Sequence, residues 1–330
     1  MSFCRLICEG IQGNSWFDQA LREACKGIGF TYPNPPVGCV VVKDNQLIAT
    51  GYHAKAGELH AEAKALLEAG ETALGSTLYV TLEPCNHFGR TPPCTQEIIK
   101  AGVKRVIYGV ADPNPHVTGH GAQVLREAGI EVHAISHPDA EALIQPFTKF
   151  IRHKKPYVIA KIATSLDGKI AFKPGEQTQM TGPDSRRRVH RMREACDAVL
   201  VGSETVLVDN PQLTARFDDR PAQRQPARIV LDRRHRTNPT HQVYAKDSVP
   251  SYCISSLDEL DSLGFMSVLV EGGGQVLTSF LEQNRVDELA WFTAPILLGN
   301  QGVPAIGNLS KPLKLSGGAD FLTLSSCQAA

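Results

Sequence analysis

Three side chains spread between residues 60 and 94 have to meet at one point if this chain is to use them. His60 opens the triplet His60-Ala61-Glu62; Pro84-Cys85 and then Cys94 answer it. One imidazole and two thiols are the borderline and soft donors that suit Zn²⁺. Three protein ligands leave the fourth tetrahedral position open, as catalytic zinc sites do. Glu62, two residues past the histidine, is then close to the metal without ligating it and is free to move protons. Each element alone is weak. A histidine near a helix start is usually a cap, and H-x-E arises often by chance. Cysteine is often buried filler, the role expected of Cys25, Cys39, Cys196 and Cys253. The combination of H-x-E, L-E-P-C and a second Cys on a matching α/β pattern is far more specific.

Composition narrows the partners. The 330 residues suffice for two ordinary domains. Lys+Arg and Asp+Glu are both 34, so the formal net charge is +0. A nucleic-acid binder usually shows a basic excess or stripe, and none is evident. Nine cysteines, an odd count without regular spacing, do not make a disulfide framework. The apolar run near Met1 is too short for a signal peptide, and no run approaches the length needed to span a bilayer. A reduced, cytoplasmic protein acting on a small soluble substrate is expected, with no nucleic-acid or membrane partner; a homo-oligomer, dimer or tetramer, is also expected.

Hydrophobic periodicity gives the coarse order of elements. Phe17, Ala20, Leu21 and Ala24 fall on one face of a helix over Trp16 to Lys26. Val37 to Val42 and Leu47 to Tyr52 read as a β-hairpin. A helix opens at His60, a strand covers Thr77 to Thr81, and another helix begins near Cys94. Strands at Arg105 to Val110 and Ile130 to Ile135 flank a helix over Ala122 to Ala128. This alternation predicts an α/β sandwich on a mostly parallel sheet. The ligand-type residues fall at or near helix N-termini, where unpaired N–H groups favour thiolate over thiol. A helical pattern from Asp139 runs into Arg152-His153-Lys154-Lys155-Pro156, a basic cluster that reads as a domain boundary.

Zinc deaminases carry H-x-E followed by P-C-x-x-C, with the Glu as general acid/base. Here the cysteines are spaced C-x8-C, in Glu83-Pro84-Cys85-Asn86-His87-Phe88-Gly89-Arg90-Thr91-Pro92-Pro93-Cys94. This stretch resembles the deaminase domain of the bifunctional riboflavin-biosynthesis deaminase/reductase family, usually called RibD, which has this long loop. Pro33 to Cys39, Gly51-Tyr52-His53 and Asp112 to Pro115 resemble it too. His87 and Arg90 project polar and cationic groups beside the metal, as a phosphorylated substrate would need. The resemblance implies that Asn34, His53, His87 and Arg90 contact substrate.

The second half resembles the dihydrofolate-reductase-like reductase domain of the same family. Tyr157 to Ala163 reads as a strand, followed by Ser165-Leu166-Asp167-Gly168. Thr181-Gly182-Pro183-Asp184 leads into a helix with Arg186, Arg187, Arg188, Arg191 and Arg193. Thr205 to Arg216 matches the family's T-V-L-x-D-x-P-x-L-T-x-R. Strands follow at Arg228 to Asp232 and, last, at Ser267 to Glu271. Glu271-Gly272-Gly273-Gly274 then joins that strand to a helix, where backbone N–H groups can approach a pyrophosphate. The Rossmann fingerprint G-x-G-x-x-G is absent. The resemblance implies residues 1–147 as a zinc-dependent pyrimidine deaminase, 148–155 as linker and 156–330 as an NADPH-dependent reductase. It implies cofactor contacts at Ala163, Gln179, Thr205, Asp209, Gly273 and Gly274. Substrate contacts are implied at Gln177, Arg193, Leu213, Arg216 and Glu271, with Lys161 nearby. The family usually has Ser-x-Trp where this chain has Gln177-Thr178-Gln179. The competing readings are a deaminase with a decayed reductase half, a nucleic-acid deaminase and a zinc-stabilised binding protein.

Overall fold

The computed structural model describes residues 11, 13–87, 92–114, 120–218, 220–310 and 312. Between Lys154 and Lys155 the chain divides into two compact units.

The first unit is built on a five-stranded sheet of order β2-β1-β3-β4-β5. Its strands are β1 (Gly38–Lys43), β2 (Gln46–Tyr52), β3 (Thr77–Leu82), β4 (Arg105–Val110) and β5 (Glu131–Ala134). Asp44 and Asn45 join β1 to β2, both with positive φ, at 49° and 56°. That is the primed turn whose twist matches a two-residue hairpin. Helix α1 (Trp16–Cys25) starts at Ser15, whose hydroxyl accepts from Asp18 N while Asp18 accepts from Ser15 N. This reciprocal pair is a capping box. Val40 and Val42 pack toward α1, with Ala20. Cys39 and Val41 pack toward Ala61 and Ala65 of α2 (Ala61–Ala69). Alternation along β1 therefore buries both faces of the sheet. Two glycines permit the close approach: a Cβ on Gly38 would lie 2.1 Å from Ala20 O, and one on Gly51 2.3 Å from Ala61 O. Helices α3 (Cys94–Lys100), α4 (His120–Glu127) and α5 (Pro138–His153) complete this half.

This sheet is mixed rather than mostly parallel. β1 runs antiparallel to both β2 and β3, and only β3, β4 and β5 are mutually parallel. The tight hairpin forces the reversal, since parallel neighbours need a long crossover. Residues 148–153, expected as linker, are helical. Arg152 and His153 sit in the last turn of α5, and Lys154 ends it with φ 54°. Basic residues favour a helix C-terminus, so this part of the basic cluster caps rather than links.

The second unit holds a six-stranded sheet of order β12-β11-β8-β13-β6-β14. These are β6 (Tyr157–Thr164), β8 (Ala198–Gly202), β11 (Ala227–Leu231), β12 (Ser251–Ile254), β13 (Ser267–Val270) and β14 (Glu288–Thr293). Every pairing among them is parallel. β8 and β13 are buried throughout, as the apolar runs Ala-Val-Leu-Val-Gly and Ser-Val-Leu-Val require of central parallel strands. The minor strands are β7 (Lys169–Ala171), β9 (Arg216–Phe217), β10 (Arg220–Pro221) and β15 (Val303–Pro304). The helices are α6 (Pro183–Ala195), α7 (Ser203–Asp209), α8 (Leu257–Ser262) and α9 (Gly274–Glu282). Ser267 to Glu271 is not the last strand, because β14 follows and pairs with β6. Only Ala290 and Phe292 of β14 are fully buried, so this edge strand carries a weak apolar signal.

Two cysteines depart from their expected role as buried filler. Cys253 is exposed, and Cys25 is disulfide-bonded. Among the described residues no helix is long and apolar enough to cross a membrane.

Candidate active sites

In the first unit, the residue before α2, the loop after β3 and the first residue of α3 converge. The donor atoms of His60, Cys85 and Cys94 all lie within 4.8 Å of one another. His60 Nδ1 is 3.3 Å from Cys94 Sγ and 3.5 Å from Cys85 Sγ. Cys94 N–H donates to Cys85 Sγ at 3.4 Å. The Cys94 thiol, His60 and that amide hold the Cys85 thiol well below its ordinary range; Cys94, sharing the proton and buried, is pushed up. One imidazole and two thiols, one already favouring thiolate, fit a zinc ion, whose charge would deprotonate both.

Cys85 is held from two directions. Thr95 N–H donates to Cys85 O at 3.2 Å. Glu83 accepts from Ala122 N at 3.0 Å, and a Cβ on Gly121 would lie 1.9 Å from Pro84 O. Only glycine lets α4 approach the backbone of the ligand loop this closely.

Glu62 is 4% exposed and lies beside the cluster without belonging to it. Burial, then the charge on Cys85, pushes its carboxyl up to about 7. A group poised near neutrality can both take and return a proton. His53 is buried; its Nδ1 lies 3.2 Å from Leu59 O and its Nε2 3.0 Å from Asn34 Nδ2. A carbonyl only accepts, so Nδ1 carries the proton and Asn34 donates to Nε2. Burial holds His53 below the usual imidazole range, in keeping with this neutral form. Its ring meets that of His60 edge-on, with centroids 5.2 Å apart. His87 is exposed. Arg90 lies outside the described residues. Asp112 opens the motif Asp112-Pro113-Asn114-Pro115, to which the sequence assigns no role. Burial raises its carboxyl, with Glu83 and Cys85 adding to the shift, which places it near the cluster.

In the second unit, twelve residues singled out from the sequence line one cleft of about 2410 Å³. They are Lys161, Ala163, Gln177, Gln179, Arg193, Thr205, Asp209, Leu213, Arg216, Glu271, Gly273 and Gly274. They come from β6, from the turn between β13 and α9 and the first residue of α9, from α6 and α7, and from the connections after α7 and β7. Arg193 and Glu271 form a two-pronged pair, Nε to Oε1 at 2.6 Å and Nη2 to Oε2 at 3.0 Å. Burial pushes the Glu271 carboxyl up, but Arg193 and Lys161 outweigh it and keep it ionised. Burial lowers the Lys161 ammonium, opposed by Glu271. Gly273 caps α9, and a Cβ there would meet nothing nearer than Ile170 Cδ1 at 3.8 Å. A side chain there would thus sit in ordinary contact with Ile170, without a clash. Sequence reasoning gave no role to His190, Arg233, Arg234 or Arg236, which also line the cleft. The run Arg233-Arg234-His235-Arg236 directly after a strand was a visible signal for the last three.

Comparison with known proteins agrees with this architecture. A family model of the cytidine and deoxycytidylate deaminase zinc-binding region matches residues 12–110, and one of the RibD C-terminal domain matches 156–317. The riboflavin biosynthesis protein RibD of Aquifex aeolicus is 42% identical over 318 residues, 88% of each chain. That of Escherichia coli is 38% identical over 341 residues, 91% of this chain and 93% of its own. The structure of Acinetobacter baumannii RibD superposes with a TM-score of 0.80 at 39% identity, covering 91% of both chains. A diaminohydroxyphosphoribosylaminopyrimidine deaminase/5-amino-6-(5-phosphoribosylamino)uracil reductase from Thermotoga maritima gives 0.79 at 37% identity, covering 90% of this chain and 91% of its own. With two domain matches in series and relatives similar along nearly the whole chain, the protein belongs to the RibD family of riboflavin biosynthesis, enzymes that join a zinc-dependent deaminase to an NADPH-dependent reductase.

Proposed function

We propose that the first unit deaminates 2,5-diamino-6-ribosylamino-4(3H)-pyrimidinone 5′-phosphate. The second would then reduce the ribosyl chain of 5-amino-6-(5-phosphoribosylamino)uracil to ribityl. The observation that carries the first half is the convergence of His60, Cys85 and Cys94 beside the buried carboxyl of Glu62. His60, Cys85 and Cys94 would hold the zinc, which would supply a water activated at neutral pH. Glu62 takes a proton at its carboxylate and returns it to the departing ammonia. Asn34, fixed through His53, holds the pyrimidine, and His87 and Arg90 meet the phosphate.

NADPH held in the cleft of the second unit would supply a hydride to the sugar C1 carbon, as the bond from C1 to the ring oxygen breaks and that oxygen takes a proton. Thr205, Asp209, Ala163, Gln179 and the Gly273–Gly274 turn hold the cofactor. Lys161, Gln177, Leu213, Arg216 and Glu271 bind the substrate, and Arg193 keeps Glu271 ionised. Arg193 already spends three N–H groups on Glu271 and Thr214 O, so of the two arginines Arg216 has more donors free for phosphate. The substrate is a small phosphorylated pyrimidine; the formal charge of +0 favours this over a polynucleotide. The reading includes a cytoplasmic homo-oligomer. Incubation with the diamino substrate and NADPH, following ammonia release and NADPH oxidation separately, tests both halves. Ammonia without oxidation removes the reductase reading, and oxidation only of supplied deaminated substrate removes the deaminase reading.

A further inference from the structure

The segment Leu213-Thr214-Ala215-Arg216 forms a wall of the cleft with little help from any sheet. β9 starts only at Arg216 and, among the described residues, pairs only with β10; Ala222 N–H adds a backbone bond to Ala215 O at 3.0 Å. Side chains hold most of its backbone instead. Arg193 Nη1 donates to Thr214 O at 2.9 Å. Gln225 grips Ala215 on both sides: Ala215 N–H donates to Oε1 at 2.8 Å, and Nε2 donates to Ala215 O at 2.7 Å. Arg216 N–H donates to His190 Nδ1 at 3.3 Å. Leu213, at the entry, is 3% exposed and has φ 54°, a left-handed conformation uncommon for a leucine. Buried packing of that side chain and the three grips together fix where Arg216 begins.

We propose that His190 and Gln225 are positioning residues that preset the backbone of Arg216, so that its guanidinium meets the phosphate of the reductase substrate. This rests on the reading of Arg216 as a phosphate ligand. Neither residue needs to touch substrate for the role. The Arg216 side chain is otherwise loosely tethered, Nη1 reaching only Thr214 Oγ1 at 3.3 Å. An unanchored arginine would lose rotamer entropy on binding; a fixed backbone reduces what remains to be ordered.

The His190 contact sets a protonation requirement. To accept from Arg216 N–H, Nδ1 must carry no proton, so the ring is neutral with its hydrogen on Nε2. The charged groups facing it are Arg193 from the same helix, Arg216 from β9 and Glu271 from the end of β13. Burial first, then the two arginines, hold His190 below the ordinary imidazole range against the opposing pull of Glu271 and the Thr214 backbone. The grip is therefore intact at neutral pH and is released on acidification.

The test is a set of reductase kinetics on the full-length protein with deaminated substrate, alongside thermal melting. His190→Ala, which loses one hydrogen bond to the segment, and Gln225→Ala, which loses two, are each expected to raise KM for the phosphorylated substrate by roughly 3- to 10-fold or more, with kcat and the KM for NADPH little changed. In His190→Asn, the Oδ1 atom can stand in for Nδ1, so KM should return most of the way toward the parent value. In the Arg216→Ala background the His190→Ala effect should vanish, because residues acting through one another are not additive. The acid-side rise of KM should be shallower in His190→Asn than in the parent, a comparison that cancels the titration of the substrate phosphate itself. If Arg216→Ala raises KM and His190→Ala does not, the positioning role is wrong and the phosphate reading stands. If Arg216→Ala changes nothing, the phosphate reading falls and the positioning role with it. Full additivity of the two substitutions also overturns the proposal.

Discussion

Glu62 and Arg216 show how differently two functional side chains are prepared. Glu62 is sealed in protein, and burial raises its carboxyl to about 7. Glu62→Gln keeps the shape and removes the exchangeable proton. Zinc content by elemental analysis should stay at one per chain while ammonia release falls ~10²–10⁴-fold, the usual loss for a general acid/base. Arg216 is exposed at a cleft wall, and its value lies in the phosphate it meets. Charge-assisted hydrogen bonds contribute about 1.5–3 kcal/mol each, so Arg216→Ala should cost ~10-fold or more in kcat/KM for the deaminated substrate. The KM for NADPH and the rate of ammonia release should hold steady. Were Arg216 an ordinary surface charge, reduction kinetics would be unaltered.

At the scale of elements, the turn Ser165-Leu166-Asp167-Gly168 does more than join β6 to β7. Asp167 accepts from Ser165 Oγ at 2.6 Å, Leu298 N at 3.0 Å and Gly299 N at 2.7 Å. It thereby ties the turn to the stretch that leads into β15, and both β7 and β15 line the cleft. The Ser165 hydroxyl first, then the Leu298 amide, holds this carboxyl down to about 2. A lowered carboxyl adds stability above its unfolded pKa, ~3.9, and loses it as pH falls through the folded value. Melting curves of the parent and Asp167→Asn should differ near neutral pH and draw together between about pH 4 and pH 2. A gap that is constant with pH would show that the carboxylate charge is not what ties the turn. Elements of this kind were partly legible in the sequence. The helix over Trp16 carried a clear apolar periodicity, the strand β13 an unbroken apolar run, and His60, Cys85 and Cys94 stood on recognisable motifs. The antiparallel pairing of β1 with β3, the edge strand β14 and the side-chain grips on Ala215 and Arg216 were not legible. They depend on which neighbour a segment meets, and Gln225 or His190 looks like any polar residue until that neighbour is known.

For the whole molecule, the division after Lys154 leaves each sheet assembled from strands of its own unit. A chain truncated after Lys154 should fold, bind zinc and release ammonia at a rate within a few-fold of the parent, measured by elemental analysis and ammonia assay. A folded, zinc-loaded but inactive product would mean that the second unit completes the first site. The two sheets also differ in when they can be finished on the ribosome. The first has all its strands once Ala134 has emerged. In the second, β6 is the first strand made, yet one of its two neighbours, β14, is the last of that sheet. Until residues 288–293 leave the exit tunnel, one side of β6 offers bare amides and carbonyls to any other strand nearby. A premature stop before residue 288 should therefore give a protein that aggregates through its reductase half while the older half, already closed, goes on holding its metal.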